Sequence, residues 1–322
     1  MPIQCVEVTE SNLREYLTFV SDAAGDTHRA SVLALWKHLR VHPYFMSVAA
    51  IRTEDSQIVA CASTAIVSAR FTDEELANPR PGLDARFLEA CAAGLPVVSS
   101  RDQVAKANAG AGVDFLHFSG YMRSGLALAE QLQIYAPLWA QFVKFARGHR
   151  IRTVFAECID EFFKRSARAG GTPVVEFPET DSLLNSATRE IVGVNPASVG
   201  TALFHYTEPV LRLRPAEQEL LLAAVDGATD EELAAALGIS NDAVKARWRS
   251  TLAGIAKVNP ELVTYNGSSV GRGPQKRHRV LAYVREHPEE LRPYDWTVAN
   301  RNAARRSAPP VREKVRQRGE LE

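Results

Sequence analysis

The chain contains few of the residues that stabilise small secreted domains or bind structural metals. Its 322 residues include only four cysteines. These four stand far apart, without Cys-x-x-Cys spacing, at Cys5, Cys61, Cys91 and Cys158. The spacing indicates neither a zinc site nor a disulfide framework, so we expect no bound metal and thiols that are buried as small apolar side chains. Redox sensing is the alternative use of such thiols.

Long apolar runs are also missing. No stretch of 18 apolar residues occurs, so no transmembrane helix is predicted. The first residues, Met1–Gln4, have neither the basic nor the apolar part of a signal peptide. We therefore expect a cytoplasmic protein without a membrane partner, and its hydrophobic content of 46% is sufficient for a sizeable core.

Net charge is a third feature that the chain lacks, because 38 Lys and Arg residues balance 38 Asp and Glu residues. The balance hides a gradient. Residues 1–210 hold 19 basic and 23 acidic side chains, residues 211–242 hold 2 and 7, and residues 243–322 hold 17 and 8. A neutral chain has little long-range attraction to DNA, so DNA binding would depend on a local basic patch, doubled in a homodimer.

Residues 213–255 have the spacing of three short helices. Apolar side chains at helical intervals precede Gly227, which can end the first helix in the left-handed conformation. Thr229 and Glu232 have the spacing of a capping box at the start of the second helix. Gly238 ends this second helix and begins a short turn.

The third of these helices, capped by Ser240 or Asn241, has two different faces. Its apolar face carries Val244, Trp248, Leu252 and Ile255. Lys245 and Arg249 lie on the opposite face. Two helices joined by a short turn, the second presenting cations, fit the major groove of DNA. We predict DNA contacts by Asn241, Asp242, Lys245, Arg247 and Arg249. The alternative is a helical module that binds protein.

The same residues resemble the LuxR-type helix-turn-helix family. The opening Leu-Thr-Pro-Arg-Glu-x-Glu of that family corresponds to Leu213–Glu219, and its Leu-Gly-Ile-Ser is identical at 237–240. Its Thr-Val-Lys becomes Ala243–Lys245. The resemblance implies a transcriptional role with double-stranded DNA as the partner, and a DNA contact by Lys245.

The first 200 residues alternate strand and helix patterns, which predicts an α+β domain with a mixed sheet and flanking helices. Predicted strands lie at 3–8, 45–51, 58–70, 113–118, 151–158 and 173–177. Predicted helices lie at 13–20, 32–39, 71–108, 126–147 and 161–169. Turn-rich sequence places the end of this domain somewhere from 178 to 211.

This order of elements resembles the GCN5-related acetyltransferase superfamily and its acyl-homoserine-lactone-synthase-like branch, over residues 1–180 and most clearly in Arg150–Gly171. In that superfamily, a glycine-containing loop at the start of the long helix binds the pyrophosphate of acyl-CoA, since the first helix amides are unpaired. Met122–Ala127 is the corresponding stretch here. The resemblance implies a site for acyl-CoA or a related acyl ligand at Arg123, Ser124, Gly125 and Ala127. The alternative is a plain strand-to-helix connection.

The sequence assigns no catalytic residue. Glu157, Asp160 and His117 stand near predicted strand ends, where a carboxylate or an imidazole can serve as a general base. Their spacing gives none of them a partner, so whether the domain is an enzyme is left open.

The region after the domain boundary is predicted in two parts. Residues 211–260 form the helix-turn-helix domain. Residues 261–322 form a basic extension, with a short helix at 275–286 whose basic face either follows a phosphate backbone or is solvated. The last stretch, 297–322, is rich in arginine and poor in large apolar residues, which predicts disorder.

Taken together, these patterns favour a DNA-binding transcriptional regulator. Its domain 1–200 would sense a small-molecule effector or form a homodimer. The alternative is an N-acyltransferase that uses acyl-CoA or an acyl-carrier thioester and carries an appended DNA-binding module. The operator, the effector and the direction of regulation are not predicted.

Overall fold

The computed structural model describes residues 2–40, 42–170, 172–193, 201, 203–263 and 273–307. Its strands are β1 (Ile3–Glu7), β2 (Phe45–Arg52), β3 (Gln57–Val67), β4 (Val113–Met122), β5 (Ile151–Cys158), β6 (Val174–Phe177) and β7 (Ser182–Thr188). They form one mixed sheet in the order β1-β2-β3-β4-β5-β7-β6. The predicted α+β class of the N-terminal part, a mixed sheet with flanking helices, is confirmed.

Eight of the described helices lie between or just after the strands in the chain, and five more come after the sheet is complete. Those of the N-terminal part are α1 (Leu13–Ala24), α2 (Asp26–Leu39), α3 (Ala69–Ala77), α4 (Leu83–Ala92), α5 (Arg101–Asn108), α6 (Leu128–Ala146), α7 (Glu161–Ala169) and α8 (Arg189–Gly193). The helical module that follows has α9 (Pro215–Ala224), α10 (Asp230–Leu237), α11 (Asn241–Val258), α12 (Gly273–Glu286) and α13 (Trp296–Ser307). Short 3₁₀ helices lie at Pro260–Leu262 and Pro288–Leu291. None of the helices described here is both long enough and apolar enough to cross a bilayer.

Connectivity explains the arrangement of the strands. β1, β2, β3 and β4 are antiparallel neighbours in that order. β4 reaches β5 through α6, and the two run parallel, as a helical crossover requires. β7 then pairs antiparallel with β5, and β6 forms the edge. Among the described strands, β4 and β5 are thus the one parallel pair, and they lie inside the sheet.

Helices cover both faces of the sheet, and the alternate residues of β4 point to each face in turn. Leu116 and Phe118 are buried in a core that includes α1, α2 and α4. Val113 and Phe115 are buried in a second core, where the ring of Phe142 on α6 lies 5.5 Å from that of Phe115. Burial on both faces explains the nearly continuous apolar sequence of β4.

The sequence did not predict two elements, β7 and α8, that lie within the boundary region of 178–211. Ser182–Thr188 forms β7 and Arg189–Gly193 forms α8, so the sheet continues inside the predicted boundary. The sequence signal was weak because β7 contains mostly polar residues, and its buried apolar side chains are only Leu183 and Leu184. The turn that indicated a boundary instead joins β6 to β7.

The three helices predicted within 213–255 are present as α9, α10 and α11. Thr229 Oγ1 accepts a hydrogen bond from the Glu232 amide at 3.2 Å, and Glu232 Oε2 accepts one from the Thr229 amide at 2.7 Å. Gly238 follows α10 with φ of +62°, and the Ser240 side chain caps α11. The local caps therefore set these helix ends.

Helix α12 and the 3₁₀ helix after it belong to the core of the helical module. Val280, Val284 and Leu291 are buried in one cluster with Trp248. The segment 261–322, predicted as a separate extension, thus contributes its first part to the packing of α9–α11.

The arginines of α12 make contacts inside the helical module. Arg277 donates to the Asp230 carboxylate at 2.8 Å and lies 4.8 Å above the Trp248 ring. Arg285 donates to the carbonyl of Val225 at 2.6 Å. A phosphate backbone was one predicted partner of this basic helix. In the structure, Arg277 and Arg285 instead contact other residues of the helical module.

The predicted disorder of 297–322 is wrong for its first part, which is helix α13. The Asp295 side chain caps this helix by accepting from the Thr297 amide at 2.9 Å. Asn302 donates to the carbonyl that follows α5 at 3.1 Å. These two polar contacts stabilise α13, which the low apolar content of the segment did not predict. Residues 308–322 lie outside the described part of the chain.

The helical module is docked on the C-terminal end of α6. Arg292 donates to three backbone carbonyls there, those of Lys144, Phe145 and Arg147. Burial lowers the pKa of Arg292 to about 10. Gly148, with φ of +84°, lies so close to the module that an added Cβ would be 2.5 Å from a backbone atom of Pro288. The end of α6 is therefore fixed by backbone contact.

Candidate functional site

The parallel pairing of β4 and β5 stops before either strand ends. Its last partners are His117 and Ala156. Beyond them, β4 continues along β3 to Met122, and β5 continues along β7 to Cys158. The two strands therefore stop hydrogen bonding to each other inside the sheet. We call the region between their ends the strand gap.

A β-bulge in β4 lies at the start of the strand gap. Phe118 pairs with Ser63 and Tyr121 pairs with Cys61, so Ser119 and Gly120 together oppose one residue of β3. Ser119 has φ of +50°, a strained conformation for a residue with a side chain. The bulge changes the side-chain alternation, and it therefore aims both Phe118 and Tyr121 at the face covered by α1, α2 and α4.

Asp84, in the first turn of α4, reaches the bulge from that face. Its Oδ2 accepts a hydrogen bond from the Ser119 amide at 2.7 Å. Its Oδ1 is buried and has no hydrogen-bond partner among the described residues. Burial, with a smaller contribution from the carboxylate of Glu157, raises the pKa of Asp84 to about 7. The site thus holds a carboxyl group that can gain and lose a proton near neutral pH.

Three further polar side chains lie beside Asp84 at the bulge. His28 Nε2, on α2, is 3.1 Å from Ser119 Oγ and 3.0 Å from the Tyr121 hydroxyl. Burial lowers the pKa of His28 and raises that of Tyr121, which favours a neutral imidazole and a neutral phenol. We call Asp84, His28, Ser119 and Tyr121 the gap cluster. Its members can exchange hydrogen bonds with a bound molecule.

Glu157, predicted as a possible general base, has a structural task. Its carboxylate accepts from the amides of Gly82 and Leu83 at 3.1 and 2.5 Å and from Ser182 Oγ at 2.6 Å. It thereby caps the start of α4, where Gly82 has no side chain to do so. Because α4 carries Asp84, Glu157 fixes the position of the gap cluster.

The other two predicted bases are also held in structural contacts. Asp160 caps α7 by accepting from the Phe162 amide at 2.8 Å. His117 points to the opposite face of the sheet, where its Nδ1 is 2.8 Å from Thr64 Oγ1 and its ring packs 4.2 Å from that of Phe142. Burial lowers the pKa of His117 to about 4. Neither residue belongs to the gap cluster.

The loop predicted to bind phosphate follows the strand gap directly. Arg123, Ser124, Gly125 and Ala127 are exposed in this loop, and Gly125 has φ of +79° with open space around it. Within the described chain, no hydrogen-bond acceptor is found for the amides of Ser124 and Gly125. Glu130 accepts from the Ala127 amide at 2.9 Å, so one amide at the start of α6 is already paired. The remaining amides and Arg123 fit an anion.

Helices α6 and α7 carry large apolar side chains, and one of them, Phe163, reaches the strand gap. Leu128 and Leu132, on α6, are 52% and 53% exposed. Tyr135 is on the same side of α6 by helical spacing, and its ring lies 6.1 Å from that of Phe163. The Phe163 ring in turn lies 3.8 Å from the position of a Cβ on Gly120. This flank of the gap therefore suits an apolar chain.

The thiol at the end of β5 is not suited to nucleophilic catalysis. Burial and nearby carboxylates raise the pKa of Cys158 to about 12. The thiolate, which is the reactive form, is therefore scarce at neutral pH. Burial of the thiols, which the sequence predicted, is complete at Cys61 and partial at Cys5, Cys91 and Cys158.

The residues predicted to contact DNA lie on α11. Asn241, Asp242, Lys245 and Arg249 are exposed, and Lys245 lies 3.9 Å from the Asp242 carboxylate. Arg247 is half-buried and donates to the carbonyl of Ala216 at 3.4 Å. The structure thus brings four of the five to one accessible face and turns Arg247 towards α9.

Sequence reasoning missed the gap cluster. Asp84 lies within 71–108, which was predicted as helix with a break and is divided into α3, α4 and α5. An aspartate in a first helical turn is common because it complements the helix dipole. His28 and Tyr121 lie 93 residues apart in sequence and meet only because α2 packs on the sheet beside β4. No local pattern connects these residues.

Comparison with known proteins gives limited information. No protein-family model matches the chain, and no curated protein matches it. Among the similar solved structures are the C-terminal condensation domain of Ebony in complex with beta-alanyl-dopamine, the N-acyl amino acid synthase FeeM from uncultured soil microbes, and the GNAT family N-acetyltransferase YhbS from Escherichia coli in complex with CoA.

The three solved structures are distant from this chain. Their sequence identities to it are 12%, 8% and 9%, and their TM-scores are 0.35, 0.35 and 0.33, in the same order. The matches cover 58%, 63% and 61% of this chain and 99%, 99% and 86% of the other chains. Likenesses at this level carry no argument about the function of the chain.

Replacing Asp84 by Asn tests its buried titration. The pKa of Asp84 is raised from 3.8 to about 7 on folding. The folded state therefore holds the proton more tightly, and stability falls as pH rises through this window. We expect Asp84→Asn to be as stable as the parent near pH 4 and more stable at pH 8, on the order of 3 kcal/mol.

Urea unfolding at both pH values measures this difference. Asp22→Asn, at an exposed position of α1, is the matched control and should follow the parent protein at both. Equal stability of Asp84→Asn and the parent at pH 8 would show that the carboxyl is not buried.

Proposed function

We propose that the chain is an N-acyltransferase, which takes an acyl group from a thioester donor at the strand gap and passes it to an amine. The observation that carries this proposal is the strand gap itself. It has an anion-binding loop at one end, an apolar flank on one face and a buried titratable carboxyl on the other.

The strand gap supplies a place for an extended donor. Strand edges that lose their partner expose backbone N–H and C=O groups, and an extended chain with amide groups can pair with them. The pantetheine arm of CoA and of acyl carriers has two such amides. Its phosphate end would reach the loop of Arg123, Ser124, Gly125 and Ala127, where amides and a guanidinium favour anions.

The apolar flank supplies a place for the acyl chain. Large apolar side chains remain exposed on α6 and just after β5 in the described chain, namely Leu128, Leu132 and Ile159. Exposed apolar surface of this kind gains free energy when a ligand covers it, about 25 cal/mol per Å². A medium-length acyl group is therefore favoured over acetyl.

Acyl transfer at this site would be direct. The Cys158 thiol, with its raised pKa, is not an acceptor of the acyl group, so the amine itself attacks the thioester carbonyl. The gap cluster brings groups that can transfer protons to the place where the donor would lie. This favours an N-acyltransferase over a DNA-binding regulator.

Donor binding is tested with Arg123→Ala. We expect the parent protein to bind CoA in isothermal titration, and Arg123→Ala to bind it about tenfold more weakly, since loss of one charged hydrogen bond costs about 1.4 kcal/mol. Arg14→Ala, at an exposed position of α1, is the control and should bind as the parent does.

Turnover is followed as thiol release from octanoyl-CoA and octanoyl-pantetheine in the presence of primary amines. Release from either donor, accelerated by an amine, is the expected result. Absence of amine-dependent release from both donors, with no binding of CoA, would contradict the proposal.

A second function, DNA binding by the helical module, is favoured by one observation. Lys245 and Arg249 stand together on the exposed face of α11, directly after the turn at Gly238. A helix that presents two cations and small residues can enter a major groove. Binding would be stronger in a homodimer, which doubles the patch. A small-molecule effector would then be a ligand of the strand gap.

Lys245→Ala combined with Arg249→Ala tests this second function. We expect the dissociation constant for a 30-base-pair duplex, measured by fluorescence anisotropy at fixed salt, to rise at least tenfold. The slope of affinity against salt should fall by about 2. Lys37→Ala, on the exposed side of α2, is the control. DNA binding by α11 would be contradicted if the double variant had the same dissociation constant as the parent, or if the parent protein did not bind the duplex.

A further inference from the structure

We infer that a groove in the helical module binds a small molecule that combines an apolar chain with one carboxylate group. The groove lies between the segment 211–214, which precedes α9, and the C-terminal half of α11, and its volume is about 400 Å³. All of its lining residues belong to the helical module, and neither Lys245 nor Arg249 is among them. The inference therefore depends on neither of the two proposed functions.

The groove has an apolar lining. Leu213 and Ile255 are buried at its base, and Val258 remains 45% exposed beside them. The residues that α11 contributes are 250, 253, 254, 257 and 258, a spacing that places them on one face of the helix. From Ser250 to Lys257 this face is about 10 Å long, at a rise of about 1.5 Å per residue. A medium-length apolar chain fits along it.

A glycine in the middle of α11 keeps the groove open. Gly254 costs helix stability relative to alanine, because its backbone loses more conformational freedom on folding. Packing does not require it, since an added Cβ would meet only Glu217 Oε1 among the described atoms within 4 Å, at an ordinary contact distance of 4.0 Å. The missing side chain instead leaves room in the groove that Gly254 lines.

The charges of the lining favour an anion. Arg212, Arg214 and Lys257 are cationic, and Glu217 is the one acid that lines the groove within the described chain. Glu217 accepts from the Arg214 guanidinium at 2.6 Å and from the Arg214 amide at 2.9 Å, so these two charges compensate each other. The Arg212 guanidinium lies 5.0 Å above the Trp296 ring. Lys257 is exposed, and no partner is found for it among the described residues. A single carboxylate is the matching charge for this ammonium group.

The segment 211–214 offers further donors. Within the described chain, no acceptor is found for the amides of Arg212 and Leu213. The two preceding amides both donate to the carboxylate of Glu290, at 2.8 and 3.0 Å. The same segment therefore already pairs with one carboxylate, and its next two amides are available to another. A neutral chain would leave Lys257 and these amides unpaired, and a cationic one would be repelled.

Binding is measured with sodium octanoate, titrated into the full chain and followed by the methyl NMR signals of Leu213, Ile255 and Val258. We expect saturable shifts of these signals. Octanol, which has the same chain without the charge, should bind about tenfold more weakly, since it lacks the charged hydrogen bond. Acetate, which lacks the chain, and octylammonium, which has the opposite charge, should cause no saturable shifts.

Two variants locate the ligand. Lys257→Gln removes the charge and should weaken octanoate binding about tenfold. Lys106→Gln is the matched control, because Lys106 is also an exposed lysine in the last turn of a helix, and it should bind as the parent does. Gly254→Leu places a side chain in the groove and should abolish binding. Its thermal unfolding midpoint should not fall, since leucine favours a helix more than glycine does.

The outcomes decide the proposal whether or not the chain transfers acyl groups. Weaker binding by Lys257→Gln and none by Gly254→Leu, with Lys106→Gln unchanged, supports the groove even if the chain fails to bind CoA. Equal octanoate binding by the parent, Lys257→Gln and Gly254→Leu would place the ligand elsewhere and overturn the inference. Absence of saturable binding by the parent would overturn it too. Octanol binding as tight as that of octanoate would contradict recognition of a carboxylate.

Discussion

The hydrogen bond from the Ser119 amide to Asp84 is the interaction on which the site depends. It stabilises a two-residue bulge in β4 at the place where β4 leaves β5. Without the bulge, β4 would keep its alternation and Tyr121 would point to the other face. The bulge therefore opens the sheet and assembles the gap cluster in one local distortion. It also requires a buried carboxyl, whose raised pKa weakens the fold at neutral pH.

One helix connects the strand gap to the helical module. The loop of Arg123 and Gly125 precedes α6, and Arg292 of the module holds the carbonyls at the other end of α6. A displacement of α6 on donor binding would thus reach the module through backbone contacts rather than through a flexible linker. If both proposed functions hold, this is the physical route by which one could affect the other.

Sequence patterns predicted the elements that are marked by their own apolar residues or by their own caps. The strands β1, β2, β4 and β5 and the helix α7 follow from apolar spacing, and the ends of α10 follow from Thr229 and Gly238. β7 was missed because its sequence is mostly polar. α13 was missed because its order comes from the cap that Asp295 provides and from a hydrogen bond donated by Asn302. The gap cluster was missed because its members meet only when α2, α4 and β4 pack together. A contact between elements that are distant in the sequence leaves no trace in local spacing.

The most direct test of this account is a crystal structure of the full chain with a nonhydrolysable thioether analogue of octanoyl-CoA. The account predicts that the sulfur lies between the ends of β4 and β5 beside Gly120, with the phosphates at residues 123–127 and the Asp84 carboxyl on the opposite side of the sheet from the octanoyl chain. An analogue bound elsewhere on the chain, with the ends of β4 and β5 left uncovered, would contradict it.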